Sequence, residues 1–201
     1  LVFLAVASCC YGQQRFGIGV KGTLRLTNDV EGWATSESKR YGVGPSVEAR
    51  LWKGLGVEFD ALYSRFGYRV AYGYTGGSHT EQVRGNTWEF PVLGKYRFGW
   101  VHVLGGYAAR RTSGRSHGVS VAEPIIGPRS YYEYTQDVNF GTTHGVVTGG
   151  GVELGRGRVR FVPEVRYVRW NADRIGAYGS HGFSVAGTQN EVKLLLGLTL
   201  R

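Results

Sequence analysis

The chain has no methionine, only five prolines, and only two cysteines, Cys9 and Cys10, in 201 residues. The missing initiator Met is what a fragment, or a start at an alternative codon, would show. Nowhere do eighteen apolar residues run together, which excludes a spanning α-helix. No stretch has a convincing helical period. His79, His102, His117, His144 and His181 show no ligand spacing and have no cysteine cluster beside them, so no metal or other cofactor is expected. The formal charge is +9. Its Lys and Arg are spread over most segments, so no nucleic-acid surface is expected.

Thirty-three glycines and 13% aromatic residues are present, which suits many strands and turns. The last segment, Asn190 to Leu200, shows the rule. Val192, Leu194, Leu196, Leu198 and Leu200 share one parity; Glu191, Lys193, Gly197 and Thr199 share the other. Alternate side chains on a strand face opposite ways, so one face is apolar and the other polar. The pattern recurs roughly eight times, as in a closed barrel. The other segments run over about 16–26, 40–51, 55–64, 87–98, 101–110, 144–154 and 159–167. Short turns are read after the second, fourth and sixth. Long connections are read at 27–39, 67–86, 111–143 and 171–188. Outer-membrane barrels have this asymmetry.

The first dozen residues are a separate object. Leu1-Val-Phe-Leu-Ala-Val-Ala7 followed by Ser8-Cys9-Cys10-Tyr11-Gly12 looks like the core and cleavage region of a secretory signal. Cleavage after Gly12 is the expected processing, with 13–201 as one mature domain. Val6-Ala7-Ser8-Cys9 supplies the alternative, a lipidated Cys9. Ordinary cleavage would remove both cysteines and leave no disulfide.

Which face lies inside is a separate question. A soluble barrel points apolar residues inward around a ligand; a membrane barrel points them at lipid. The signal-like start, the alternating connection lengths, and aromatics near strand ends (Trp52, Trp88, Trp100, Tyr107, Tyr167, Trp170) favour the membrane. The polar parity would then fill a narrow lumen. Glu48, Glu58, Asp60, Glu89, Glu153, Glu164 and Glu191 would meet Arg50, Lys95, Arg97, Arg160, Arg166 and Lys193 there. Such charges must pair, and a paired network is a plug rather than a pore.

Three stretches carry a resemblance: Gln14-Arg-Phe-Gly-Ile-Gly-Val-Lys-Gly22, Trp88-Glu-Phe-Pro-Val-Leu-Gly-Lys-Tyr-Arg-Phe98 and Pro163-Glu-Val-Arg-Tyr167. With the final Val-Lys-Leu-Leu-Leu-Gly-Leu they resemble the bacterial outer-membrane β-barrel domain family, small barrels of OmpA and OmpX type. The resemblance implies an all-β, eight-stranded, antiparallel up-and-down transmembrane barrel in the Gram-negative envelope. Its motifs are barrel motifs rather than catalytic ones, so they imply fold and location and little else; the expectation beside them is a monomer without enzymatic activity, inserted by the barrel-insertion machinery and facing outer-membrane lipid and lipopolysaccharide. Such barrels usually end on an aromatic residue, whereas this chain ends Leu198-Thr199-Leu200-Arg201.

Arg110, Arg111, Arg115 and Arg129, with Lys39, Arg40 and Arg174, are read as a rim that could hold lipid phosphates. Ser116-His117-Gly-Val-Ser120-Val-Ala122 recurs as Ser180-His181-Gly-Phe-Ser184-Val-Ala186. His117 with Ser120, or His181 with Ser184, and Glu123 as orienter, would suit an outer-membrane lipid hydrolase or acyltransferase. The bland alternative is two polar loops pairing above the membrane, since Val119/Val121 and Phe183/Val185 alternate. Gly149-Gly150-Gly151 lies in a strand with no helix after it, so close approach explains it better than phosphate binding. The reading is a non-enzymatic outer-membrane barrel with a structural or ligand-binding role. A lipid-modifying barrel and a soluble barrel around an apolar ligand are the alternatives.

Overall fold

The computed structural model describes residues 16–31, 34–123, 126–155, 158–171, 174–175 and 185–200. The signal-like start, the second Ser-His-Gly copy through Ser184 and Arg201 lie outside them. The strands are β1 (Phe16–Arg25), β2 (Val30–Glu31), β3 (Thr35–Ser36), β4 (Tyr41–Trp52), β5 (Leu55–Asp60), β6 (Leu62–Tyr74) and β7 (Gly77–Phe98). Then follow β8 (Val101–Ala122), β9 (Ser130–Val152), β10 (Val159–Trp170), β11 (Arg174–Ile175), β12 (Val185–Gly187) and β13 (Asn190–Leu200).

An eight-strand antiparallel ring closes because β1 pairs both β4 and β13. β5 and β6 form one stave: Glu58↔Leu93 and Leu62↔Glu89 keep the same register against β7. Every stave follows its neighbour in the chain, apart from the seam where Ile18 meets Leu200. At one end, here called the lower, the hairpins are tight. Gly99 allows one of them by its φ of +63°.

At the upper end β6, β7, β8 and β9 run on well past the others. Tyr74 pairs with Gly77, and Ala122 with Ser130. The stretches 67–86 and 111–143, expected as loops, are therefore mostly strands of a sheet standing above the ring. Only Thr75 and Gly76 separate β6 from β7. A register shift between Arg111 and Ser113, opposite Gly141 at φ +73°, marks where ring becomes sheet. Two short pairings, β3 with β6 and β11–β12–β2, add to the upper end.

The parity of each stave decides its surroundings. Ile18 and Leu198 turn outward and are 65% and 57% exposed, whereas Glu58 and Lys95 turn inward and are 1% exposed. On β13, Leu194 and Leu196 face out, and Glu191 and Lys193 are buried in the lumen. A soluble barrel with an apolar interior requires the reverse, so that alternative falls.

Candidate functional site

The lumen is filled in layers. In the lower layer, Lys21 on β1 reaches Glu58 at 2.5 Å and Glu164 at 3.0 Å. Arg166 on β10 joins Glu58 (2.6 Å), Asp60 (2.7 Å) and Glu164 (2.6 Å). Lys95 lies 3.1 Å from Glu58, 3.3 Å from Glu164 and 3.4 Å from Glu48. Arg97 pairs with Glu48, and with Glu153 at 2.7 Å. His102 Nε2 meets Glu164 at 3.2 Å. These carboxylates and cations come from staves on all sides, so the network ties the ring across its bore.

Above it sits an apolar layer of Leu93, Leu104, Ala108, Val147, Val168 and Trp170. Next comes a second charged layer. Glu191 holds Arg110 at 2.5 Å and Lys193 at 3.0 Å, and Lys193 reaches Glu89 at 2.5 Å. Arg25 pairs with Asp29 at 3.0 Å. The Arg110 guanidinium lies 4.1 Å from the Trp170 ring centroid, a cation–π contact. Higher still, Val30, Phe66, Tyr68, Val70 and Val83 form an apolar cluster on the concave side of the upper sheet.

The β9 glycines make this filling possible. Gly145, Gly149 and Gly151 stand opposite Trp170, Arg166 and Glu164. A Cβ on them would lie 2.8 Å from the Trp170 ring, 3.2 Å from Arg166 Cγ and 2.9 Å from Glu164 Cγ. Bulky lumen side chains lie directly over bare backbone, which is the close approach expected of the glycine run.

The outer surface carries the second feature. On β7 the outward positions Trp88, Phe90, Val92, Tyr96 and Phe98 make an apolar band. Its ten residue steps span about 33 Å, or about 25 Å at the usual strand tilt, the height of a lipid-facing belt. Tyr41, Tyr63, Trp88 and Tyr167 ring its upper edge; Phe16, Trp52, Phe98 and Trp100 ring the lower. Tyr63 and Tyr167 donate to Asn86 and Asn190, each at 2.6 Å, joining the belt to polar surface. Just above, Arg65, Arg84, Arg111 and Arg115 are exposed. Arg84 pairs with Arg115 and Trp88 with Arg111 across β7 and β8. Asp137 reaches Arg115 at 3.1 Å, and Glu37 lies 3.9 Å from Arg84.

The expected site residues thus divide. Arg110 is not on the rim: its even parity sends it into the lumen, onto Glu191. Arg111 and Arg115 face outward. Arg129 sits apart, paired with Glu123 at 2.8 Å. Arg160 stays out of the charge network and donates to the Gly155 carbonyl at 2.6 Å. Arg50 is at the network's margin, 3.8 Å from Glu48. Lys21, Arg25 and His102 belong inside but were not expected there, although their parity carries the signal. His117 and Ser120 do not meet. His117 turns outward toward Thr135, and Ser120 bonds His79 Nδ1 at 2.7 Å on the concave side. No group of three or more His, Cys, Asp or Glu suited to a metal occurs among the described residues.

No family profile and no curated protein matches the chain. Several solved structures do. It is similar to Ail, the attachment invasion locus protein of Yersinia pestis, in complex with the heparin analogue sucrose octasulfate. That likeness has 13% identity, covers 92% of this chain and 95% of the other, and has a TM-score of 0.41. The N-terminal β-barrel domain of Pseudomonas aeruginosa OprF is similar at 12% identity, over 94% and 98% of the two chains, TM-score 0.37. Neisserial surface protein A is similar at 16% identity, over 92% and 96%, TM-score 0.32. All three are small outer-membrane barrels, the group the sequence resembles.

Proposed function

We propose that this chain is a non-enzymatic barrel of the bacterial outer membrane, with a closed lumen and a basic collar that holds lipopolysaccharide phosphates. One observation carries the reading. An apolar belt about 25 Å high faces outward, is ringed by aromatics, and is topped on one side by outward arginines. Water on both faces would make that belt unfavourable, whereas lipid makes it necessary. The lumen supports a plug: its charges pair across the bore in two layers, with an apolar layer between them. The sheet above the ring would stand outside the cell as a binding platform.

The arginines suit the collar because guanidinium matches phosphate in a two-pronged geometry, and they sit where headgroups begin. The test replaces Arg65, Arg84, Arg111 and Arg115 together by Gln. Lipopolysaccharide phosphate co-purified with heat-modifiable, folded protein should drop several-fold, while Arg129→Gln leaves it unchanged. Equal lipid content in the fourfold variant overturns the collar. Recovery of the protein in a soluble periplasmic fraction overturns the location.

A further inference from the structure

The outer face of the upper sheet carries a shallow groove just above the membrane belt, with a volume of about 500 Å³. Two rows of paired residues form it, crossing β7, β8 and β9. The lower row is Asn86, Ser113 and Asn139; the upper row is Arg84, Arg115 and Asp137. Neighbouring strands lie about 4.8 Å apart, and the rows are about 7 Å apart along each strand, so the frame measures about 10 Å by 7 Å. Its floor is bare backbone. Gly85 pairs with Gly114 between the rows. A Cβ at Gly85 would lie 2.2 Å from the Ser113 carbonyl oxygen, and one at Gly114 2.5 Å from that of Arg84. The strands approach there as glycine alone permits.

Hydrogen bonds hold part of the lining in place. Asn86 Oδ1 accepts from the Tyr63 hydroxyl at 2.6 Å, and Asn139 Oδ1 from the Gly141 amide at 3.0 Å. Each carboxamide is anchored by its oxygen, with its two N–H donors left over. Asp137 gives Oδ1 to Arg115 Nε at 3.1 Å and keeps Oδ2 as an acceptor. Ser113 adds a hydroxyl that donates and accepts. Arg84 has Glu37 at 3.9 Å, but its side chain is 74% exposed, so most of its donors face solvent. The groove therefore presents donors and acceptors together, with two cations to one anion in its lining. A bare phosphate at neutral pH mainly accepts and has no use for Asp137. Sugar hydroxyls donate and accept, and use the whole set.

We propose that this groove binds the acidic core saccharide of lipopolysaccharide. Its hydroxyls meet the carboxamides, Ser113 and Asp137, and its anionic groups meet Arg84 and Arg115. Position in the fold selects this occupant. Trp88 pairs with Arg111 at the upper edge of the belt. The Asn86 row stands one outward step above that pair and the Arg84 row two steps, about 14 Å along the strand and about 10 Å in height at the usual tilt. Sugars attached to a phosphate at Arg111 lie at that height. The inference rests on the collar reading and divides the collar into two tiers: Arg111 meets lipid phosphate, whereas Arg84 and Arg115 meet sugar.

The test measures binding of full-length protein, refolded in detergent, to three probes: lipopolysaccharide with a complete core, the same lipid truncated to lipid A, and the delipidated core saccharide. The complete form should bind about fivefold or more tighter than lipid A, and the free saccharide should bind saturably. Asp137→Ala separates recognition from charge. It removes a negative group, so simple attraction predicts tighter binding of an acidic saccharide; the groove predicts binding about fivefold weaker. Asn86→Asp keeps the acceptor for Tyr63, loses the amide donors and should weaken the saccharide likewise. Heat-modifiable gel mobility checks that each variant folds; if Asn86→Asp does not, Asp137→Ala decides. Equal affinity of the unaltered protein for complete and truncated lipid, or unchanged or tighter saccharide binding after Asp137→Ala, overturns the groove. The collar is judged separately by lipid A. Equal lipid A binding after Arg65→Gln with Arg111→Gln sinks the collar, while the free saccharide still reads the groove.

Discussion

Below Trp88, β7 turns Phe90, Val92, Tyr96 and Phe98 outward and Glu89, Lys95 and Arg97 inward. Above it the same strand turns Ser78, Thr80, Gln82, Arg84 and Asn86 outward, and His79, Glu81, Val83 and Thr87 inward, Val83 among Phe66, Tyr68 and Val70. The parity never breaks, but the outer face changes from apolar to polar, while inside Val83 joins an apolar cluster. A soluble sheet packs its apolar face on itself and wets the other, as the upper half does. The lower half does the reverse, which is stable only if its outer solvent is hydrocarbon. One strand thus records a change of solvent along its length, and the aromatic ring at Trp88 marks the crossing.

The largest effect should come from the lower lumen. Arg166→Met leaves Glu58, Asp60 and Glu164 short of a charge in a place water does not reach. Breaking a buried pair costs about 3–5 kcal/mol. Urea unfolding in lipid vesicles should show that loss, whereas Arg84→Met on the upper outer face stays within about 0.5 kcal/mol. A loss under about 1 kcal/mol for Arg166→Met would mean that water fills the bore. Next in size is the outer face. Val92→Arg, at mid-belt, should cost about 2–4 kcal/mol in vesicles, while Gln82→Arg, on the same face of the same strand, should cost almost nothing. Equal costs would remove the change of solvent.

The change of solvent also explains what could be read beforehand. The eight staves and their lumen parity were legible because lipid-facing alternation is regular from Trp88 to Phe98 and from Val192 to Leu200. The upper strands were not. Beyond Thr87 the expected apolar parity turns polar, so a strand crossing into water looks like a loop. Arg110 and Arg111 show the same limit. Adjacent arginines at a strand end look like one rim, yet a single step of parity sends Arg110 to Glu191 and Arg111 outward.

A third experiment tests the upper sheet as a packed unit. Val83→Ala removes about two methylenes' worth of burial and leaves a small cavity, a cost of about 2 kcal/mol. Hydrogen exchange should quicken in β6 and β7 above Trp88 and remain slow across the belt. Uniform quickening along both strands would mean that the upper sheet and the ring open together, and the boundary at Trp88 would have no energetic meaning.

The smallest effect concerns one proton. Burial, and then the Glu81 charge, raises the Tyr68 phenol above its ordinary 10.0. The folded sheet therefore holds that proton more tightly than the unfolded chain. By linkage the associated stability is fully present below pH 10 and is lost as pH rises toward the folded value. The difference in phenolate absorbance at alkaline pH between the native protein and Tyr68→Phe isolates this group. In denaturant the difference should appear near pH 10; in the folded protein it should appear only well above. Appearance near pH 10 in the folded protein would mean that water reaches Tyr68. The concave face would then be wet like the convex one, and the change at Trp88 would be one of composition alone.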